Sequence, residues 1–128
     1  MDVAALRSLP GMVLTAAMDE PTLRAAMEFM RLRDDGPSAV RYPRESVPEP
    51  LQAETPPFEL GKANLLAPGT DLAILAYGFP ANHALRARET LAEAGYSVAF
   101  YDARFAKPVD IDLIRELVQS GIPLLTAE

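Results

Sequence analysis

The sequence predicts an α/β fold in which mostly parallel strands are covered by helices. Three observations predict it. Short apolar runs alternate with segments of helical periodicity, each helical segment carries its own start and stop signals, and one proline-rich acidic stretch cuts the alternation in two.

The first apolar run, Met12 to Ala16, reads as a strand leading into a helix. Asp19 or Glu20 can serve the free N–H groups of the first turn, and Pro21 suits the opening of a helix. Leu23, Ala26, Met27 and Met30 recur at i, i+3, i+4 and i+7, which makes Met27 and Met30 core residues. The helix stops at Asp34-Asp35-Gly36-Pro37, and a second strand follows from Ala39 to Tyr42. This is one β-α-β unit, with parallel strands and a right-handed crossover expected.

Five of the 12 prolines then fall between Pro43 and Pro57, and residues 45–59 hold four Glu and no basic residue. Such a stretch is extended and semi-rigid, a strap from one compact unit to the next. Residues 1–44 balance six acidic against six basic residues, and residues 60–128 carry −2. The charge pattern thus divides where the prolines do.

Beyond the strap the alternation resumes, with strands near Gly61–Leu66, Asp71–Tyr77, Ser97–Tyr101 and Ile122–Thr126. Helices are expected near Pro80–Ala94 and Asp110–Ser120. Gly95 closes the first, while Asp110 caps the second, whose apolar face is read as Ile111, Ile114 and Val118 before Gly121. A lone β-α-β unit leaves one sheet face bare and both edges open, and Thr126-Ala127-Glu128 ends on a buried-type strand with no helix after it. Both ends therefore read as cut from something larger, although 128 residues would suffice for one domain.

Composition narrows the function classes. With no Cys and one His, the chain lacks the side chains of zinc fingers, iron–sulfur sites, Cys nucleophiles and Ser-His-Asp triads. No self-contained catalytic set and no metal site is expected. The net charge of −6, with no basic stripe, argues against nucleic acid, and no apolar run approaches the ~20 residues of a membrane span. The absence of Cys fits a reducing compartment, so the cytoplasm is the expected location.

Arg41-Tyr42-Pro43-Arg44 is the most informative tetrapeptide. Pro43 ends sheet pairing and throws Arg44 out at the carboxyl end of its strand, the edge where open parallel sheets bind ligands. A guanidinium fork there suits a phosphate or carboxylate; alternatively Arg44 pairs with Glu45 or Glu49, and from the pattern alone the ion pair weighs more. Arg41 points to the opposite face and reads as structural. In Asp102-Ala103-Arg104-Phe105-Ala106-Lys107-Pro108, the residues Arg104, Phe105 and Lys107 can grip an anion or a partner subunit. The plainer reading is a surface loop with an Asp102–Arg104 contact and a packed Phe105. Tyr77-Gly78-Phe79-Pro80 is a strand-to-helix turn with too few glycines for a dinucleotide fingerprint, and His83 has no second His or Cys beside it.

These motifs together resemble the 1-deoxy-D-xylulose-5-phosphate synthase family of the transketolase superfamily. The resemblance rests on Leu6-Arg7 with Pro10 and Met12, on Asp35-Gly36-Pro37-Ser38-Ala39-Val40-Arg41-Tyr42-Pro43-Arg44, on Gly61-Lys62-Ala63, on Ala73-Ile74-Leu75-Ala76-Tyr77-Gly78, and on Ala103-Arg104-Phe105 with Lys107-Pro108 and Asp110. It implies that residues 1–44 end a pyrimidine-binding domain, that 45–56 are a linker, and that 57–128 form most of a transketolase C-terminal-like domain. It further implies a homodimeric parent enzyme with thiamine diphosphate and Mg²⁺, which decarboxylates pyruvate and joins the two-carbon unit to D-glyceraldehyde 3-phosphate for isoprenoid and thiamine precursors. The cofactor and catalytic residues would lie upstream, so this stretch alone is expected to bind no cofactor and to be inactive. Arg44 resembles the Arg that holds the substrate phosphate, which lifts the anion reading above the ion pair.

Three positions depart from the family pattern: Ala17 where Pro is common, Glu45 where Gly usually follows the motif, and Phe79 in place of a small polar residue. Glu45 matters most, because a carboxylate beside Arg44 competes with a phosphate. Alternative readings are another thiamine-diphosphate enzyme, such as a transketolase or a 2-oxoacid dehydrogenase β subunit, and a free-standing interaction module without activity.

Overall fold

The strands divide between two sheets. In a computed structural model, which describes residues 2–44, 46, 48–52 and 54–128, the chain runs α1 (Asp2–Arg7), β1 (Val13–Ala16), α2 (Glu20–Arg31) and β2 (Ser38–Arg41). Past the strap come β3 (Asn64–Ala67), β4 (Leu72–Ala76), α3 (Ala81–Glu93), β5 (Val98–Asp102), β6 (Phe105–Lys107), α4 (Ile111–Ser120) and β7 (Leu124–Ala127). The first sheet has the order β2-β1-β6 and the second β3-β5-β4-β7. Pairs β1–β2, β4–β5 and β4–β7 are parallel, while β3 and β6 run antiparallel to their neighbours. The α/β class and the mainly parallel pairing are as expected.

The β-α-β unit is not bare. β6, drawn from the stretch expected to be a surface loop, pairs with the far side of β1 through Leu14 with Lys107 and Thr15 with Phe105. Its Phe105 ring lies 5.6 Å from both Phe29 of α2 and Phe58 of the strap, so three separate parts of the chain share one aromatic cluster with Val13 and Ala26. The first sheet is thus finished by residues from beyond the strap.

Two helices bury a stripe turned from the expected one, although Ala26 of α2 is buried and Leu23 and Met30 are half-buried as the spacing predicts. In α2 the buried residues are Thr22 and Ala26, with Ala25 and Phe29 packed inward, while Met27 is 58% exposed. The reason is the cap. Asp19 accepts from the Thr22 N–H and Thr22 Oγ1 accepts from the Asp19 N–H, and this reciprocal pair places a threonine on the inner face. In α4 the Asp110 cap forms as expected, accepting from the Leu113 N–H, but Leu113 and Leu117 face the sheet against Ala73, Ala99 and Leu124. Ile111 and Val118 are exposed, and Ile114 is half-buried.

On the other face of the second sheet, α3 packs Ala81 and Ala84 on Ile74, Ala76, Val98 and Phe100, with Met18 completing the cluster from the end of β1. The described part of the strap is anchored rather than loose. The Leu51 N–H donates to Asp19 Oδ2 at 3.1 Å, Asn64 Nδ2 donates to Gln52 Oε1 at 3.3 Å, and Leu51 packs against the α3 cluster.

Candidate functional site

Parallel pairing brings β1 and β2 to the same edge, with Ala16 opposite Arg41 in the last register step. Just past that edge the Ala17 N–H donates to the Arg41 carbonyl at 3.0 Å, a bond that a proline at position 17 could not make. The chain then leaves the sheet through Tyr42 and Pro43, and Arg44 stands exposed beyond it. Its place at the carboxyl edge is the one the sequence predicts. Glu45, the candidate ion-pair partner, lies outside the described residues.

A cleft of about 330 Å³ opens at the same edge, between the two sheets. Arg41, Tyr42 and Pro43 line it from β2, Tyr77 and Phe79 from the turn after β4, and Glu128 from the end of β7. Arg41 is exposed and lines this cleft, whereas the sequence reading assigned it a structural role on the opposite face. With Ala16 and Ala17 at the end of β1, two parallel pairs, β1 with β2 and β4 with β7, direct their carboxyl ends at one concavity. Gly78 makes that approach possible: its φ is +72°, and an added Cβ would meet the Ala16 Cβ at 2.9 Å. His83 is exposed on α3 and stands edge-on to Phe79 at 5.8 Å.

The turn after β5 took the opposite course. Arg104 is 3% exposed with φ +57°, and its guanidinium donates to the carbonyls of Pro57 and Pro56, each at 3.0 Å, while lying 4.4 Å from the centre of the Phe58 ring. Phe105 is buried in the aromatic cluster, and Lys107 Nζ donates to the carbonyls of Arg7 and Leu9, each at 2.8 Å. The three residues named as a possible anion grip or subunit contact thus turn most of their donors and ring surface to contacts within the chain. They join the strap, α1 and both sheets.

Asp102 is fully buried behind this turn. Its Oδ1 accepts from the Arg104 N–H at 3.0 Å, whereas Oδ2 has no hydrogen-bond partner and sits 3.9 Å from the equally unpartnered Arg104 Nε. Burial pushes the Asp102 carboxyl up to about 7, against the opposing pull of the Arg104 amide and guanidinium, with Asp19 adding a smaller upward push. Burial also lowers the Arg104 guanidinium from its ordinary value, opposed by Asp102 and Glu59.

Sequence reasoning found the edge but not the cleft. Tyr77 and Phe79 were visible as a turn, yet what sets them opposite Tyr42 is the meeting of two sheets more than thirty positions apart, which local patterning does not report.

Residues 61–128 match the family model described as the transketolase C-terminal domain. Among solved structures, one titled "Split gene transketolase, inactive beta4 tetramer" superposes with a TM-score of 0.86 at 30% sequence identity, covering 99% of this chain and 42% of that one. The chain spans less than half the length of that protein. A family match over more than half of the sequence, on a fold of the same α/β architecture, means that this chain belongs to the transketolase C-terminal domain family.

Proposed function

We propose that this chain is part of a thiamine-diphosphate enzyme of the 1-deoxy-D-xylulose-5-phosphate synthase type, and that its own contribution to the active site is to hold a substrate phosphate through Arg44. The carrying observation is the exposed guanidinium of Arg44 at the carboxyl edge of a parallel β-α-β unit, in the Arg41-Tyr42-Pro43-Arg44 motif that resembles this family. The match to the transketolase C-terminal domain supports a parent enzyme of the superfamily, in which residues 1–44 would close the pyrimidine-binding domain and 57–128 would pack beside it. Pyruvate and D-glyceraldehyde 3-phosphate are the proposed substrates, in a cytoplasmic homodimer.

Thiamine diphosphate would supply the carbanion chemistry when bound. The residues of this chain do not fit its diphosphate and Mg²⁺ end: among the described residues, no three His, Cys, Asp or Glu side chains converge to hold a metal ion. Other segments of the parent would hold that end of the cofactor. What this chain supplies is a fixed cation with planar donor geometry, suited to a dianionic phosphate.

The test is substrate choice in the complete protein. Release of CO₂ from pyruvate that depends on D-glyceraldehyde 3-phosphate supports the reading. Transfer of a two-carbon unit from a ketose phosphate, with pyruvate inert, contradicts it and favours a transketolase.

A further inference from the structure

Resting on the reading of Arg44 above, we propose that Asp19 is a positioning residue for phosphate recognition, because it ties the Arg44-bearing loop to the sheet edge. The Asp19 side chain is divided between two tasks. Oδ1 caps α2 by accepting from the Thr22 N–H at 3.0 Å, with the Thr22 hydroxyl also bonded to it, whereas Oδ2 accepts from the Leu51 N–H at 3.1 Å. Asp19 is 6% exposed, and 32 positions separate it from Leu51, so the second bond is a tertiary tether made by an otherwise local capping residue.

The tether completes a frame. At its near end the loop is held where the Arg41 carbonyl accepts from the Ala17 N–H, and at its far end where Leu51 meets Asp19, two positions further along the same segment. Arg44 lies between these two points. The next anchors along the strap are the Gln52–Asn64 pair and the Arg104 bonds to Pro56 and Pro57. Cutting the tether leaves the near anchor intact and moves the far one by a single residue, to Gln52, whose bond runs to Asn64 of the second sheet; the loop is then no longer referred to the β1 edge at both ends, which shifts Arg44 and weakens a contact that depends on a fixed guanidinium. Prolines at 48 and 50 stiffen the same stretch, so displacement at Leu51 is transmitted rather than absorbed.

Two substitutions cut the tether by different routes. Asp19→Asn keeps an oxygen for the helix cap but presents an amide that cannot accept from the Leu51 N–H, and Leu51→Pro removes the donor while leaving Asp19 untouched. Leu51→Ala is the control that loses the side chain and keeps the N–H. In the complete enzyme, Asp19→Asn and Leu51→Pro should each raise the KM for the phosphorylated aldehyde by about twofold to threefold, with a smaller change in kcat and in the KM for pyruvate. Leu51→Ala should raise it less than Leu51→Pro. Amide exchange should quicken at Tyr42, Arg44 and Ser46 in both tether variants and not in α2. In an Arg44→Ala background, Asp19→Asn should add little to the KM effect. If Arg44→Ala raises that KM but neither tether variant does, the positioning role is overturned while the reading of Arg44 stands; if Arg44→Ala itself has no selective effect, the underlying reading fails first.

Discussion

Two turns leave the carboxyl ends of strands that each run parallel to a partner, one in each sheet, and each turn carries an arginine within three residues of its strand. After β2, Arg44 projects into solvent at the mouth of the sheet edge; after β5, Arg104 folds back beneath the strap and is almost wholly buried. Strand polarity is the same in both cases, so the edge rule alone does not decide which cation is available to a ligand. What decides is cover. The strap carbonyls of Pro56 and Pro57 and the ring of Phe58 sit over Arg104 and use its donors, whereas among the described residues no ion pair is made by Arg44.

The largest expected difference is in stability. Arg104→Ala removes the clamp on the strap and leaves Asp102 buried beside no cation, and a loss of about 3–5 kcal/mol is expected in urea unfolding. Arg44→Ala should change the same quantity by no more than about 0.5 kcal/mol, as for an exposed side chain. Similar losses for the two variants would remove the contrast between the turns. Next in size is Gly78→Ala, which sets a methyl against Ala16 at a positive φ and should cost about 1–3 kcal/mol while disturbing the cleft between the sheets.

The pH response sharpens the comparison further. The native Asp102 carboxyl titrates at about 7, above its ordinary value of 3.8, so between these limits the folded chain holds a proton that the unfolded chain has released. Stability from this group is therefore greatest at the acid end and is lost as pH rises towards 7, with a slope of up to about 1 kcal/mol per pH unit. Asp102→Asn should abolish that part of the slope, seen as a narrowing gap between variant and parent when unfolding is followed from about pH 8 down to pH 5. An unchanged slope would mean that Asp102 is ionised in the folded chain throughout.

Much of this arrangement was legible in the sequence, and the misses have a common cause. The strands other than β6 and the three longer helices stand near where apolar runs, caps and glycines put them, because those signals are local. The inner faces of α2 and α4 are only partly legible, since each helix offers two stripes of helical spacing: in α2 the expected Ala26 is buried and Leu23 and Met30 are half-buried, but Thr22 and Phe29 turn inward and Met27 outward, and in α4 Leu113 with Leu117 displaces Ile111 and Val118. An apolar count discards Thr22, whose hydroxyl is satisfied by the cap and so can be buried. β6 has three residues and a partner strand ninety positions away, and no local pattern announces such a pairing. The same non-local pairing turned Arg104, Phe105 and Lys107 from an outward grip into the seam of the molecule.

The central claim is that the exposed arginine of the first turn recognises phosphate, and the most direct measurement is steady-state kinetics of the complete enzyme carrying Arg44→Ala. The account predicts a rise of at least about tenfold in the KM for D-glyceraldehyde 3-phosphate, equivalent to roughly 1.4 kcal/mol of lost binding, with the KM for pyruvate changed far less. Equal changes for both substrates, or none for either, would contradict it.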